Sequence, residues 1–162
     1  MGWTAYGVIE APLDAVCAEL LLAEPGPVGP ANAPLLRAIA GAGRLMGGAE
    51  LRGGPATFTL HYRGAHQAGG TVEVGTRSFA MQGGYKFRAE YHFAPHERGT
   101  LLTYRAINVA PGAHREKALV KLQFRLGGLL RVGLRGALRI IGAHLSCRTY
   151  PLRRARNVSP RR

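Results

Sequence analysis

The run from about His114 to Cys147 constrains this chain more than any other stretch. Stepped at about 100° per residue, Lys117, Lys121, Arg125, Arg131, Arg135 and Arg139 fall within roughly 60° of one meridian. Leu119, Leu122, Leu126, Leu130, Leu134, Ala137, Ile141 and Leu145 fall on the opposite side. A strand alternates with period two and cannot sort residues in that way. The spacing predicts one amphipathic helix, roughly 50 Å long if unbroken, with a wide apolar stripe and a basic stripe. Residues 129–145 are largely apolar, but a membrane-spanning helix would bury Arg131, Arg135 and Arg139 at about 2.5–3.5 kcal/mol each, so no crossing is expected. A helix lying flat on a membrane surface stays open. Otherwise the apolar stripe needs a protein partner, which the rest of the chain must supply.

The preceding residues read as a sheet with two short helices. Trp3 to Glu10 alternates as a first strand, and Ala11-Pro12 opens a helix with Asp14 near its positive end. Val16, Cys17, Leu20 and Leu21 form the apolar face of that helix. Pro25, Gly26, Pro27, Gly29, Pro30 and Pro34 exclude a continuous helix or strand before a second helix at about Leu35 to Ala42. Phe58, Leu60 and Tyr62 alternate with polar neighbours as a half-buried antiparallel strand, and residues 64–70 read as a loop. Thr71 to Val74 and Arg77 to Gln82 are short strands, and Gly83-Gly84 signals a hairpin. Tyr85, Phe87, Ala89, Tyr91 and Phe93 then share one face of a strand, with Lys86, Arg88, Glu90 and His92 on the other. A last strand covers Thr100 to Val109. Grouped strands followed by a long helix predict an α+β domain over residues 1–150, with a basic, flexible tail over 151–162.

The formal charge of +13 over 162 residues favours anionic partners; the alternative reading is a merely solvated surface whose arginines reflect a GC-rich genome. Few aromatics interleave with the arginines, so nucleic acid is not expected. Cys17 and Cys147 lack any metal or redox spacing and read as buried free thiols in a reducing compartment; with no secretory signal at the start, a cytoplasmic location is expected. His92 and His96 stand four apart, but across a strand end and a proline turn where the helical HxxxH logic fails; no Ser-His-Asp or Cys-His set assembles, and no phosphate-loop motif is present, so neither metal nor cofactor is expected.

Three places carry a resemblance. Val8-Ile9-Glu10-Ala11-Pro12-Leu13-Asp14-Ala15-Val16 pairs a strand with an A-P-x-x-x-V helix opening. Gly83-Gly84-Tyr85 through Phe93-Ala94-Pro95, followed by Gly99-Thr100-Leu101-Leu102-Thr103-Tyr104, forms a hairpin with a G-T-x-x-T-Y signature. The long helix closes the chain. In this order they resemble the START-related superfamily of helix-grip proteins, which includes polyketide cyclases/aromatases, birch-pollen-allergen relatives and small lipid-transfer proteins. Two departures stand out. Gly127, Gly128, Gly133, Gly136 and Gly142 load the terminal helix with glycine, each costing about 1 kcal/mol relative to alanine, so that it either kinks at Gly127-Gly128 or packs unusually close. The basic tail also has no counterpart in the family pattern. The resemblance implies a curved antiparallel sheet wrapped around the terminal helix, with an elongated apolar cavity between them for sterols, lipids, aromatic polyketides or plant metabolites.

The residues expected to line that cavity are Tyr62, Tyr85, Phe87, Tyr91, Phe93, Tyr104 and Asn108 of the sheet and Leu126 and Leu130 of the helix. A face this rich in tyrosine suits a ligand that needs hydroxyl donors, which a pure core does not. The first functional expectation is binding of a hydrophobic aromatic, polycyclic or lipid molecule. A cyclase/aromatase-type enzyme stays open, with Tyr62, Tyr85, Tyr104, Arg88 or Arg105 orienting substrate, polarising a carbonyl or shuttling a proton. An interaction module also stays open, docking an anionic partner or membrane through Lys117, Lys121, Arg125, Arg131, Arg135, Arg139 and the tail.

Overall fold

The structure, a computed structural model, describes residues 2–41, 48–66, 68–83, 87–109 and 128–152. The strands are β1 (Gly2–Ile9), β2 (Gly26–Pro27), β3 (Ala49–Gly53), β4 (Thr57–Tyr62), β5 (Ala68–Gly75), β6 (Ser78–Gly83), β7 (Phe87–His96), β8 (Gly99–Asn108) and β9 (Thr149–Leu152). The helices are α1 (Leu13–Leu20), α2 (Pro34–Gly41) and α3 (Gly128–Leu145). The strands form one curved antiparallel sheet in the order β2-β3-β4-β5-β6-β7-β8-β1-β9. All three helices contribute to a single core with one face of that sheet, which is the helix-grip architecture.

Residue period and register explain which face is buried. In β4, Phe58 and Leu60 are buried while Thr57 and Thr59 are exposed, because successive side chains point to opposite faces. The register carries that face across the sheet: Phe58 opposes Val72, Val72 opposes Met81, and Met81 opposes Ala89. Phe79 opposes Tyr91, Tyr91 opposes Tyr104, and Tyr104 opposes Ala5. Ala5, Gly7 and Ile9 therefore face the core in β1, with Trp3 on the same side at the strand's start.

The Gly99-Thr100 pair ties the hairpin between β7 and β8 to the start of α1. Gly99 has φ +127, and a Cβ there would stand 2.5 Å from the Ile9 carbonyl oxygen, so the position admits only glycine. Next to it, Thr100 is wholly buried and its hydroxyl donates to the Ala11 carbonyl at 2.8 Å. Pro12, expected inside the first turn of α1, stands one position earlier as its N-cap.

In α3, Leu134, Ala137, Leu138 and Ile141 are buried while Arg131, Arg135 and Arg139 are exposed, as the periodicity predicts for this half. The first half of the predicted helix, with Lys117, Lys121 and Arg125 and the choice of a kink at Gly127-Gly128, lies outside the described residues. Leu138 lies at the flank of the predicted stripe, yet it is 1% exposed because the chain turns back along that side. Ser146 adopts φ 52, and the Cys147 N–H donates to the Gly142 carbonyl at 3.0 Å, a Schellman-type stop. The Thr149 hydroxyl donates to the Leu138 carbonyl at 2.7 Å, fastening the next strand to the helix.

That strand, β9, pairs with β1 from Tyr6↔Leu152 to Ile9↔Thr149. Pro151 and Leu152, assigned from sequence to the start of the tail, therefore belong to the sheet; only residues from 153 onward lie outside the described residues. Proline occupies both outermost strands, Pro27 in β2 and Pro151 in β9, where a missing N–H costs no ladder bond on the outer side. Close contact of α3 with β1 depends on Gly7, whose backbone lies directly under Leu138.

Candidate functional site

Burial along the inner face of the sheet falls off from one end to the other for most side chains, although the small Ala106, opposite Trp3 and Ala89, stays buried. At one end, Ile9, Leu102, Phe93 and Phe79 are buried within the core. Toward the other end, where β1 begins and β8 finishes, Trp3, Met81, Ala89 and Tyr104 are only half-buried against that core. Asn108 is half-buried at the same end, opposite Phe87. Tyr62 is half-buried in the final position of β4, opposite Ala49.

Two tyrosines stand at the centre of this gradient. The rings of Tyr91 and Tyr104 stack with centroids 4.8 Å apart and 15° between planes, because β7 and β8 place them directly opposite each other. Phe79 meets the Tyr91 ring edge-on at 6.1 Å, fixing it from the neighbouring strand. Burial pushes the Tyr91 phenol well above its ordinary range, helped by the adjacent Tyr104 and by a hydrogen bond between the two hydroxyls. Burial also raises Tyr104, while the same hydrogen bond lowers it. Both phenols remain protonated at neutral pH.

Tyr62 owes its position to a bulge. The register slips between Leu60↔Gly70 and His61↔Ala68, which leaves Gly69 without an opposite residue. A Cβ on Gly69 would collide with Cδ2 and Cε2 of Tyr62, so one edge of that ring fills the space a side chain would take. Burial raises the Tyr62 phenol as well. The segment read from sequence as a loop over 64–70 is thus strand from Ala68 onward, and its glycines make room for an aromatic ring.

The structure therefore brings Tyr91, Phe93 and Tyr104 onto one core-facing surface, with Tyr62 and Asn108 at its half-buried margin. Tyr85 and Leu126 lie outside the described residues, as do the side chains of Phe87 and Leu130. Arg88 and Arg105 are not part of the group. They project from the opposite face of the sheet, because they alternate with Ala89, Tyr91 and Tyr104 along their strands. There Arg88 donates to both oxygens of Glu73 at 2.9 and 2.7 Å and through Nε to Glu90 at 3.0 Å. Arg105 lies 3.7 Å from the far oxygen of Glu90. Those carboxylates occupy the guanidinium of Arg88, so neither arginine polarises a carbonyl inside the core.

Trp3, like Phe79, is an inner-face aromatic that the sequence did not assign to the site. Its neighbours on that face, Ala5 and Gly7, are too small to reveal a period, and only the pairing with β8 settles the face. The Arg131 guanidinium of α3 stacks over the Trp3 ring at 5.8 Å from its centroid. Cys17 and Cys147 are free thiols but half-buried, less enclosed than expected. Burial raises both above the usual thiol range, which makes them poor nucleophiles at neutral pH. Among the described residues no three His, Cys, Asp or Glu side chains are arranged to hold a metal. None of the described helices is long and apolar enough to cross a membrane.

No protein-family model matches this chain, and no curated protein matches it in sequence. Among solved structures it is similar to TTHA0849 from Thermus thermophilus, with 15% identity and a TM-score of 0.51 over 90% of this chain and 96% of that one. CalU16 from Micromonospora echinospora aligns over 90% of this chain and 94% of its own, with 13% identity and a TM-score of 0.35. The first likeness is one of fold; the second is too distant to build on.

Proposed function

We propose that this protein binds a hydrophobic small molecule, an aromatic or polycyclic metabolite or a lipid, between the inner face of the sheet and the C-terminal helix. The observation that carries this reading is the graded burial of the inner face, which passes from packed core to a half-buried margin of Trp3, Met81, Ala89, Tyr104 and Asn108. A wall of this kind suits an apolar ligand with a few oxygens, since aromatic faces supply contact area and sparse hydroxyls supply orientation. The fold shared with TTHA0849 is compatible with such a cavity.

Trp3 is the chain's one tryptophan and stands at that margin, so its emission reports directly on occupancy. Titration with fatty acids, sterols and polycyclic aromatic ketones is expected to give a saturable change in Trp3 emission for at least one class. Tyr104→Phe is expected to weaken an oxygenated ligand by about tenfold, the value of one lost hydrogen bond. Absence of any saturable response across the panel would contradict the reading.

A second reading, an enzyme of the cyclase/aromatase type, is favoured by one feature, the hydrogen-bonded Tyr91–Tyr104 pair. Two protonated phenols in series can hold a substrate carbonyl and deliver a proton to it. Such an enzyme loses turnover on Tyr104→Phe while binding changes little; a carrier loses only affinity.

A further inference from the structure

A groove of about 710 Å³ runs along the outside of the fold between the C-terminal half of α3 and β9. It is lined by Arg135 and Arg139 from the helix, by Ser146, Cys147 and Arg148 from the turn, and by Thr149 and Pro151 from the strand, among others. No acidic side chain lines it, and Arg135, Arg139 and Arg148 make no ion pair among the described residues. Elsewhere on the surface Arg52 meets Glu50, Arg77 meets Asp14 and Arg98 meets Glu10, while the exposed Arg37 and Arg63 make no ion pair among the described residues.

Arginines near a helix C-terminus often serve the last carbonyls and the negative end of the dipole. Here that role is partly filled by neutral groups. The Cys147 N–H donates to the Gly142 carbonyl, one of the last four of α3, at 3.0 Å, and further back along the helix the Thr149 hydroxyl donates to the Leu138 carbonyl at 2.7 Å. Arg135 and Arg139, one helical turn apart, and Arg148, after the chain reverses, are left facing a common concavity. Guanidinium groups converging from two elements suit a tetrahedral oxyanion, which accepts two parallel hydrogen bonds from each.

We propose that this groove is a site for a phosphate or phosphodiester group, held by Arg135, Arg139 and Arg148. The group belongs either to a free phosphorylated molecule or to a phospholipid headgroup, and the groove is separate from the apolar ligand site proposed on the inner face of the sheet.

The test uses the full chain. Binding of inorganic pyrophosphate is measured by calorimetry, and binding to phosphatidylcholine vesicles with and without phosphatidylglycerol is measured by flotation. Each is repeated with Arg135→Gln/Arg139→Gln, with Arg148→Gln, and with a charge-matched control, Arg52→Gln/Arg63→Gln, on the far side of the sheet. Circular dichroism melting confirms that each variant folds. The expected result is saturable binding to at least one probe, weakened about tenfold or more by loss of groove arginines and less than about twofold in the control. Pyrophosphate binding identifies a soluble phosphorylated molecule as sufficient. Binding only to phosphatidylglycerol vesicles identifies a headgroup. No binding to either, or equal losses in the groove and control variants, would overturn the proposal, since the net charge alone would then explain any attraction.

Discussion

Gly7 and Leu138 form the contact on which the grip of α3 rests, and replacing Gly7 by alanine tests it. The added methyl would lie 2.7 Å from Leu138 Cδ1, 2.9 Å from Cδ2 and 3.3 Å from Cγ. Carbon atoms in contact prefer about 3.5–4.0 Å, so the leucine methyls must retreat by about 0.5–1 Å. Leu138 is 1% exposed and has no solvent to retreat into. Overpacking of this size costs about 1–3 kcal/mol, offset by about 0.4–1 kcal/mol from the reduced freedom of the unfolded chain. The net loss expected for Gly7→Ala is therefore between about 0 and 2.6 kcal/mol. Leu138→Ala alone should cost about 2–5 kcal/mol, by removing buried methyls and leaving a cavity. In the double variant the clash vanishes and the new methyl fills part of the void, so the combined cost should fall short of the sum by about 1–2 kcal/mol. Urea unfolding measures this as shifts in midpoint at constant slope. Strictly additive costs, or a Gly7→Ala variant more stable than the parent, would refute a helix held directly against the β1 backbone.

Four other consequences are open to measurement. Tyr91 and Tyr104 hold their protons more tightly when folded, chiefly through burial, so the unfolded chain releases its protons first. Their stabilisation is fully present below about pH 10 and is lost as pH rises through the folded values; Tyr91→Phe should flatten that alkaline limb of the urea midpoint, and an unchanged limb would contradict the burial. Arg88→Gln should cost about 1–2 kcal/mol at neutral pH, since it strips Glu73 and Glu90 of their partner on a partly exposed face. The hydrogen bonds from Arg88 hold both carboxyls below their ordinary value of 4.5, so the stabilisation is present above about that pH and lost as pH falls; the variant's acid limb should be shallower than that of the parent. Ser146→Gly should raise stability by about 1 kcal/mol in thermal unfolding, because Ser146 carries a left-handed backbone at φ 52. Gly69→Ala should displace the Tyr62 ring, read as an altered tyrosine absorbance spectrum with a modest loss of stability.

The strongly periodic elements were legible in the sequence. The alternation of Phe58, Leu60 and Tyr62, the face of Tyr91 and Phe93, and the stripe of Leu134, Ala137 and Ile141 all arise from side chains large enough to declare a period. The edges of the sheet were not legible. In β3, Ala49 and Leu51 alternate with Glu50 and Arg52, but the run is five residues long and lies next to glycine-rich chain. In β9, Thr149-Tyr150-Pro151-Leu152 carries a proline and precedes five arginines, so composition outweighed the strand signal. What fixes β9 is non-local, the pairing with β1 and the bond from Thr149 to the Leu138 carbonyl.

The candidate site divides in the same way. Tyr91 and Tyr104 share a face by parity alone, but their stacking depends on a register that pairs them directly, which no single strand reveals. Arg88 and Arg105 were separable from the tyrosines by parity; the two carboxylates that claim Arg88 come partly from β5, fifteen residues earlier. The groove at α3 and β9 was out of reach while Pro151 and Leu152 counted as tail and Thr149-Tyr150 carried no strand, because it forms only when the chain turns back on the helix.

The measurement that bears most directly on a ligand-binding role is native mass spectrometry of the purified protein beside its denatured spectrum, with extraction and identification of whatever is released. A bound apolar molecule in the native spectrum, lost on denaturation and identified as a lipid or an aromatic metabolite, is the expected result. An empty native spectrum, followed by no thermal shift across a lipid and polyketide panel, would contradict a cavity built for such a ligand.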